Sequence, residues 1–112
     1  MVTSLRIAGR PYVVWRRKAK AMGDAAGLHW GAKSRIDILA GQTPVEEADT
    51  LLHEVMHAIL YCQGREYGGE VEETYVRALA TGLIGVLQDN PEFASWLSST
   101  HTPPCSLPKT TP

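Results

Sequence analysis

A short segment near the middle of the chain carries residues whose spacing could support metal chemistry. In TLLHEVMHAIL, residues 50–60, His53 and His57 are four positions apart, and Glu54 follows the first of them. Residues at i and i+4 of an α-helix project from one face, so both imidazoles could bind one tetrahedral ion at about 2.0–2.1 Å. Glu54 lies about 100° further round the helix, where a general base is expected beside such an ion.

The alternative interpretation is an ordinary amphipathic helix whose polar face carries two histidines. Here, however, the histidines interrupt an otherwise apolar run. Burying imidazoles and a carboxylate without partners is costly, and a bound metal ion would supply the partner. We therefore predict Zn²⁺ at His53 and His57, with Glu54 as the catalytic base rather than a ligand.

A catalytic zinc site needs a third protein ligand and keeps its fourth position open. Six residues are candidates for the third ligand: His29, Glu66, Glu70, Glu72, Glu73 and His101. Glu73 is expected to point at the histidines, because on a helix it shares a face with Val76, Ala80, Leu83 and Leu87. Glu72 is the rival, since it would align with Val76, Leu79 and Leu83. Tyr67 and Tyr75 are candidates for stabilising an oxyanion, although either could simply pack.

Local signals predict three helices in the second half of the chain. Thr43, Pro44 and Glu46 fit the N-cap, N1 and N3 positions of a capping box, and Gly64 fits the C-terminal cap. The first helix is therefore expected over 44–63, with an apolar stripe of Leu52, Val55, Met56 and Ile59. The second is expected over 71–89, facing inward through Val76, Leu79, Ala80, Leu83, Ile84 and Leu87, and the third over 91–97. Gly82 and Gly85 suggest close approach of another backbone.

The first half predicts strands at about Leu5–Ile7, Tyr12–Trp15, Leu28–Ala32 and Arg35–Ala40, from alternation of apolar and polar residues. We therefore expect an α+β fold, in which a small antiparallel sheet of N-terminal hairpins packs on two main helices plus a short C-terminal helix. Residues 1–98 are expected to form one domain, and residues 99–112 a disordered Pro/Thr-rich tail.

Bulk composition argues against two classes of partner. The chain has 112 residues with a net charge of −1, so no overall attraction to nucleic acid or to a membrane is expected. The basic cluster Arg16, Arg17, Lys18 and Lys20 is interpreted as a solvated strand end. No run approaches the ~20 apolar residues of a membrane span, and the N-terminus lacks the apolar core of a signal peptide. With only Cys62 and Cys105, widely separated, we expect a cytoplasmic protein.

The helix His53-Glu54-x-x-His57, followed by a second helix bearing a glutamate, resembles the gluzincin group of zinc metallopeptidases. TLLHEVMHAIL and EETYVRALATGLIGVLQDNPEF are also similar to small HExxH proteins of phages and prophages, in which E-x-x-V-x-x-L-A and L-x-D-N-P follow the histidine helix. A more distant resemblance is to ImmA/IrrE-type metallopeptidases of mobile elements. Covering about residues 36–97, the resemblance implies a minimal zincin with Zn²⁺ on His53, His57 and Glu73. The interval of 16 residues from His57 to Glu73 is short for gluzincins.

The predicted function is hydrolysis of peptide bonds by a metal-activated water, with Glu54 as general base, in a bacterial or phage-infected cell. The expected partner is a peptide or protein substrate that pairs with an edge strand at 35–40. Two alternatives stay open: a non-catalytic protein stabilised by zinc, and a protein-binding module of phage origin. A closed fourth ligand, from His29 or a second glutamate, would favour the zinc-stabilised protein.

Overall fold

The computed structural model describes residues 2–100. The first part of the chain gives β1 (Ser4–Ile7), β2 (Arg10–Arg17), the one-turn helix α1 (Ala19–Met22), β3 (Gly27–Trp30) and β4 (Arg35–Leu39). The second part gives α2 (Pro44–Cys62), α3 (Gly69–Asp89) and α4 (Pro91–Ser99). The predicted α+β class is thereby confirmed. Most of the tail predicted from residue 99 onward, with His101 and Cys105, lies outside the described residues.

The four strands form one mixed sheet in the order β1-β2-β4-β3. β1 pairs antiparallel with β2 and β3 antiparallel with β4, as expected for hairpins, but β2 and β4 run parallel. The prediction of an entirely antiparallel sheet is therefore wrong at its centre. The reason is that the chain crosses to the far edge through α1, forms β3 there, and returns as β4 in the direction of β2.

This strand order also corrects the predicted edge strand. The segment expected at 35–40 is β4, which lies between β2 and β3 and has both neighbours in place. The edge on that side of the sheet is β3, Gly27–Trp30. A substrate that adds to the sheet there would therefore have to pair with β3.

One face of the sheet packs against α2. The buried cluster consists of five sheet residues and one helix residue: Ile7, Tyr12, Val14, Ile36, Ile38 and Ala58. Leu51, Val55 and Cys62 extend the contact along α2. The stripe predicted for this helix was thus rotated, because Met56 and Ile59 instead border α3 and Ile59 is 36% exposed. Helix α2 buries two faces, one for each neighbour.

The ends and packing of the two long helices follow from a few contacts. The predicted capping box is present, since Thr43 Oγ1 accepts from the Glu46 N–H at 3.2 Å and Glu46 Oε1 accepts from the Thr43 N–H at 2.9 Å. Helix α3 runs antiparallel to α2, with Thr81 Oγ1 donating to Asp49 Oδ1 at 3.0 Å.

No helix within residues 2–100 combines the length and the apolar character needed to cross a bilayer.

Two expectations for α3 are wrong. Val76 and Ala80 are buried as predicted, but Leu79 is 61% exposed, because a helix with α2 as its main neighbour buries a narrower stripe than the sequence suggested. A Cβ built at Gly82 or Gly85 would have no described atom within 4 Å. Neither glycine therefore marks close approach of another backbone among residues 2–100.

Candidate metal centre

Three side chains of the types that can ligate a metal ion converge where α2 and α3 meet. His53 and His57 lie one turn apart on α2, and Glu73 reaches them from the beginning of α3; one ligand atom from each lies within 4.8 Å of the others. The two Nε2 atoms are 3.2 Å apart, and Glu73 Oε2 is 3.3 Å from His57 Nε2. Two ligands bound at 2.0–2.1 Å to a tetrahedral ion are about 3.3–3.4 Å apart. Glu73 Oε1 lies closer to His53 Nε2, at 2.6 Å.

Glu72 occupies a different position from Glu73. Its Oε2 lies 2.5 Å from Nδ1 of His57, on the side of the ring away from His53 and Glu73. Its Oε1 accepts hydrogen bonds from the backbone N–H groups of Tyr67 at 2.9 Å and Gly68 at 3.1 Å. A neutral His57 that donates from Nδ1 carries its lone pair on Nε2. Glu72 therefore fixes the tautomer that turns the free lone pair toward His53 and Glu73.

The charge state of Glu72 suits this role. Burial by itself would raise the pKa of its carboxyl. The hydrogen bonds from the Gly68 N–H, the His57 ring and the Tyr67 N–H outweigh burial and hold that pKa below its usual range. The side chain is only 6% exposed. Glu72 is thus a buried, ionised acceptor aimed at His57.

Glu54 lies beside the three converging side chains without joining them. It is 7% exposed and borders the same cleft as His53 and Glu73. Burial raises the pKa of Glu54 to about 7; His57 opposes this rise, and the charge on Glu73 adds to it. A carboxyl group whose pKa is close to neutral can both accept and release a proton at physiological pH.

Gly27, at the start of β3, makes room for Glu54. A Cβ at this position would lie 2.8 Å from both Cγ and Oε2 of Glu54, and 2.9 Å from Cγ2 of Thr50. Distances below 3.0 Å cannot be kept without displacing one of the side chains. The sequence interpretation missed this residue. A glycine in a strand often marks close approach of another group, but only the fold identifies that group as Glu54.

Solvent reaches the converging side chains through two adjoining clefts. The larger, about 430 Å³, is bounded by Ala26 and Gly27 on the sheet side, by Thr50 and His53 on α2, and by Arg77 on α3. The smaller, about 280 Å³, is bounded by residues 27–29 of β3 and by Glu54, His57, Glu66 and Glu73. The site therefore opens alongside the edge strand.

The other imidazole and carboxylate candidates do not join His53, His57 and Glu73. His29 Nε2 lies 2.9 Å from the Tyr12 hydroxyl, its ring meets the edge of Tyr61, and burial lowers its pKa. Glu66 borders the smaller cleft, and Glu70 is exposed near the start of α3. His101 lies outside the described residues. His29 belongs instead to the packing between the sheet and α2.

Tyr67 and Tyr75, the candidates for oxyanion stabilisation, lie elsewhere. Both border an apolar groove of about 500 Å³ between α2 and α3, together with Met56 and Leu79. Their side chains are 78% and 67% exposed. This groove contains neither histidine of the candidate site and not Glu54. Neither tyrosine therefore borders the two clefts beside His53, His57 and Glu73.

Comparisons of the chain with protein-family models, with curated proteins and with solved structures gave no match. The resemblance to gluzincins therefore stays a prediction from the histidine helix and the segment that follows it. The chemistry of the site rests on the positions of His53, Glu54, His57, Glu72 and Glu73.

Proposed function

We propose that the protein is a zinc-dependent metallopeptidase. One observation carries this proposal: His53, His57 and Glu73 each bring one ligand atom within 4.8 Å of the others, beside the buried Glu54, which borders an open cleft with His53 and Glu73. Two imidazoles and one carboxylate are a donor set found in catalytic zinc sites. When bound there, zinc would lower the pKa of water and polarise a carbonyl group.

The number of ligands supports an enzyme over a protein that is only stabilised by zinc. Within residues 2–100, the group able to hold a metal consists of His53, His57 and Glu73. A structural zinc site is normally closed by a fourth protein ligand, whereas a catalytic site keeps that position free. Of the two closing ligands considered, His29 or a second glutamate, His29 lies 2.9 Å from the Tyr12 hydroxyl instead.

In the proposed reaction Glu54 moves the proton. Its carboxylate would accept a proton from a water molecule in the cleft and pass it to the amine that leaves when the peptide bond breaks. Gly27 keeps the space that this side chain occupies, and Glu72 holds His57 in the tautomer that can ligate.

The edge strand beside the site favours an extended peptide as substrate. Ala26 O accepts from the Leu39 N–H, and the register pairs Leu28 with Asp37. Because hydrogen bonding to a neighbouring strand alternates along the chain, Gly27 and His29 direct their backbone N–H and C=O groups to the open edge. Both residues border the smaller cleft with His57 and Glu73. A peptide could therefore add to β3 as a further strand.

A cleavage assay tests this proposal. Zinc-loaded wild type and zinc-loaded Glu54→Gln are incubated with a broad peptide library, and the products are identified by mass spectrometry. Glutamine keeps the size of the side chain but cannot accept the proton, so cleavage should fall by roughly two to four orders of magnitude. Equal rates for the two proteins would refute the role of Glu54. A zinc-loaded wild type that cleaves nothing would favour the zinc-stabilised protein.

A further inference from the structure

The face of the sheet opposite α2 carries alternating aromatic and basic side chains. Arg17 lies 5.7 Å from the Trp15 ring and Arg35 lies 4.2 Å from the same ring; Arg35 is also 5.5 Å from the Trp30 ring, and Lys33 is 5.3 Å from it. We call these five residues the tryptophan–cation ladder. It crosses β2, β4 and β3 and ends in the turn after β3.

Strand alternation places the ladder on the open face. Tyr12 and Val14 of β2, and Ile36 and Ile38 of β4, belong to the core against α2. Their neighbours Trp15 and Arg35 must point the other way, because successive strand residues alternate between faces. Trp15 is 46% exposed and Trp30 is 39% exposed, so part of each ring surface is accessible.

The buried carboxylate of Asp37 contacts three residues of the ladder. This carboxylate is 3% exposed; its Oδ2 accepts from Trp30 Nε1 at 3.0 Å and from Arg17 Nη1 at 3.5 Å. Arg35 Nη2 also donates to Asp37 Oδ2 at 3.3 Å, and Arg35 Nε lies 2.9 Å from Asp37 Oδ1 as an ion pair. One buried anion thus fixes three members of the ladder, and their positions are set before any ligand arrives.

Basic residues are concentrated in the first part of the chain and acidic residues in the second, although the net charge of the whole chain is only −1. Residues 1–42 carry eight basic and two acidic side chains, a net charge of +6, whereas residues 43–100 carry two basic and ten acidic ones, a net charge of −8. The two acidic residues of the first segment are Asp37, which forms an ion pair with Arg35 of the ladder, and Asp24, which borders the larger cleft beside His53. The ladder itself brings Arg17, Lys33 and Arg35 together with the carboxylate of Asp37, which leaves it a local net charge of +2.

We propose that the tryptophan–cation ladder binds single-stranded nucleic acid. Unpaired bases offer flat faces that stack on tryptophan and on arginine, while the phosphates between them attract the basic side chains. An acidic protein segment would satisfy the positive charge but would leave the exposed tryptophan rings without a flat partner. This inference departs from the expectation of no nucleic-acid partner, which rested on the net charge of the whole chain. It does not depend on the metal site.

Binding can be measured with the full-length protein and a fluorescently labelled oligothymidine of about 15 nucleotides, a length within the range that a single binding domain contacts. Anisotropy should report binding at low ionic strength, and the logarithm of the association constant should fall linearly with the logarithm of salt concentration. Contact with three or four phosphates predicts a slope of about −2 to −3. A duplex of the same length should bind more weakly, because its bases are already stacked.

Matched variants separate stacking from charge. Trp15→Ala and Trp30→Ala should each weaken binding by roughly five- to hundredfold, the usual effect of losing one stacked base, and Trp15→Tyr should restore most of it. Trp96→Ala is the control, since Trp96 is 61% exposed on α4 in the acidic half.

Charge variants test the phosphate contacts. Lys33→Glu should lower affinity and flatten the salt slope, whereas Arg65→Glu, in the segment between α2 and α3, should change neither. Circular dichroism verifies that each variant is folded.

Three outcomes would overturn the proposal. The first is a folded wild type that does not bind the oligonucleotide at low ionic strength. The second is equal affinity of the Trp15→Ala, Trp30→Ala and Trp96→Ala proteins. The third is a concentration-dependent dimer in sedimentation that Trp15→Ala abolishes and that excludes the oligonucleotide, because it would identify the acidic half of a second copy as the occupant of the ladder face.

Discussion

Glu72 Oε2 lies 2.5 Å from Nδ1 of His57, while the other oxygen of the same carboxylate accepts two backbone N–H groups, from Tyr67 and Gly68. The neighbouring Glu73 lies on the opposite side of the imidazole, near Nε2. Two consecutive glutamates of one helix therefore contact the two nitrogens of one histidine. In the proposed site Glu73 ligates the metal ion and Glu72 orients the His57 ring. The two side chains point in different directions because adjacent helical residues are rotated by ~100°.

The first prediction distinguishes these two roles. Glu72→Ala should weaken zinc binding by about 10- to 100-fold, the usual cost of removing a hydrogen-bond partner of a metal-bound histidine, and Glu73→Ala should weaken it more. Glu70→Ala is the control, because Glu70 is an exposed glutamate three residues before Glu73 on the same helix. Competition with a chromogenic chelator gives all three affinities. If Glu72→Ala does the greater damage, the third ligand is Glu72.

The second prediction concerns the space beside Glu54. Gly27→Ala should destabilise the protein by roughly 1–3 kcal/mol, because the added methyl group would meet Glu54 and Thr50 below 3.0 Å. Gly82→Ala is the matched control: a Cβ there has no described neighbour within 4 Å, and alanine should stabilise α3 by about 1 kcal/mol. Urea denaturation measures both. A stable Gly27→Ala protein with unchanged peptide cleavage would contradict this role of Gly27.

The third prediction follows from the pKa of Glu54 in the metal-free protein. Burial raises that pKa from 4.5 to about 7, so the folded state holds the proton over a range in which the unfolded state has lost it. The stability contributed by this group is complete below pH 4.5 and is lost as the pH rises through 7. Glu54→Gln does not titrate, so its advantage over wild type should grow across this range to at most about 3 kcal/mol.

Denaturation curves recorded at several pH values, with a chelator present, measure that difference. Glu70→Gln serves as the control, because it makes the same substitution at an exposed position near the start of α3. Parallel pH profiles for wild type and Glu54→Gln would contradict the burial of an ionisable group at this position.

The fourth prediction tests pairing with β3. In a peptide that the protein cleaves, N-methylation of one amide facing Gly27 or His29 removes a donor and adds a clash, and should raise KM at least tenfold. Methylation of the adjacent amides, which face away from the strand, should have a smaller effect because pairing alternates. A methyl scan of one substrate gives the pattern. KM values without this alternation would show that the substrate does not add to the edge of the sheet.

Local chemistry explains which features the sequence could predict. The start of α2 follows from the capping box of Thr43 and Glu46, and the common face of His53 and His57 follows from helical spacing alone. The convergence of Glu73 on them also needs the antiparallel packing of α3 on α2. Apolar periodicity predicted which face of α3 packs on α2, but it also predicted that Leu79 is buried. That error arose because periodicity does not reveal how many neighbours a helix has.

The remaining features depend on strand order. The parallel pairing of β2 with β4 joins segments about twenty residues apart, and no local pattern specifies it. The edge position of β3, the contact of Gly27 with Glu54, and the meeting of Trp15, Arg35 and Trp30 on one face all follow from that pairing. Each of these residues looks ordinary in its own strand.

Elemental analysis of the purified protein after zinc loading and extensive dialysis shows whether His53, His57 and Glu73 hold zinc. His53→Ala, His57→Ala and Glu70→Ala are prepared in parallel. We predict about one zinc ion per chain in wild type and in Glu70→Ala, and almost none in either histidine variant, because two ligands hold the ion far less tightly than three. Equal zinc content in all four proteins, or none in a folded wild type, would contradict zinc binding by these three residues.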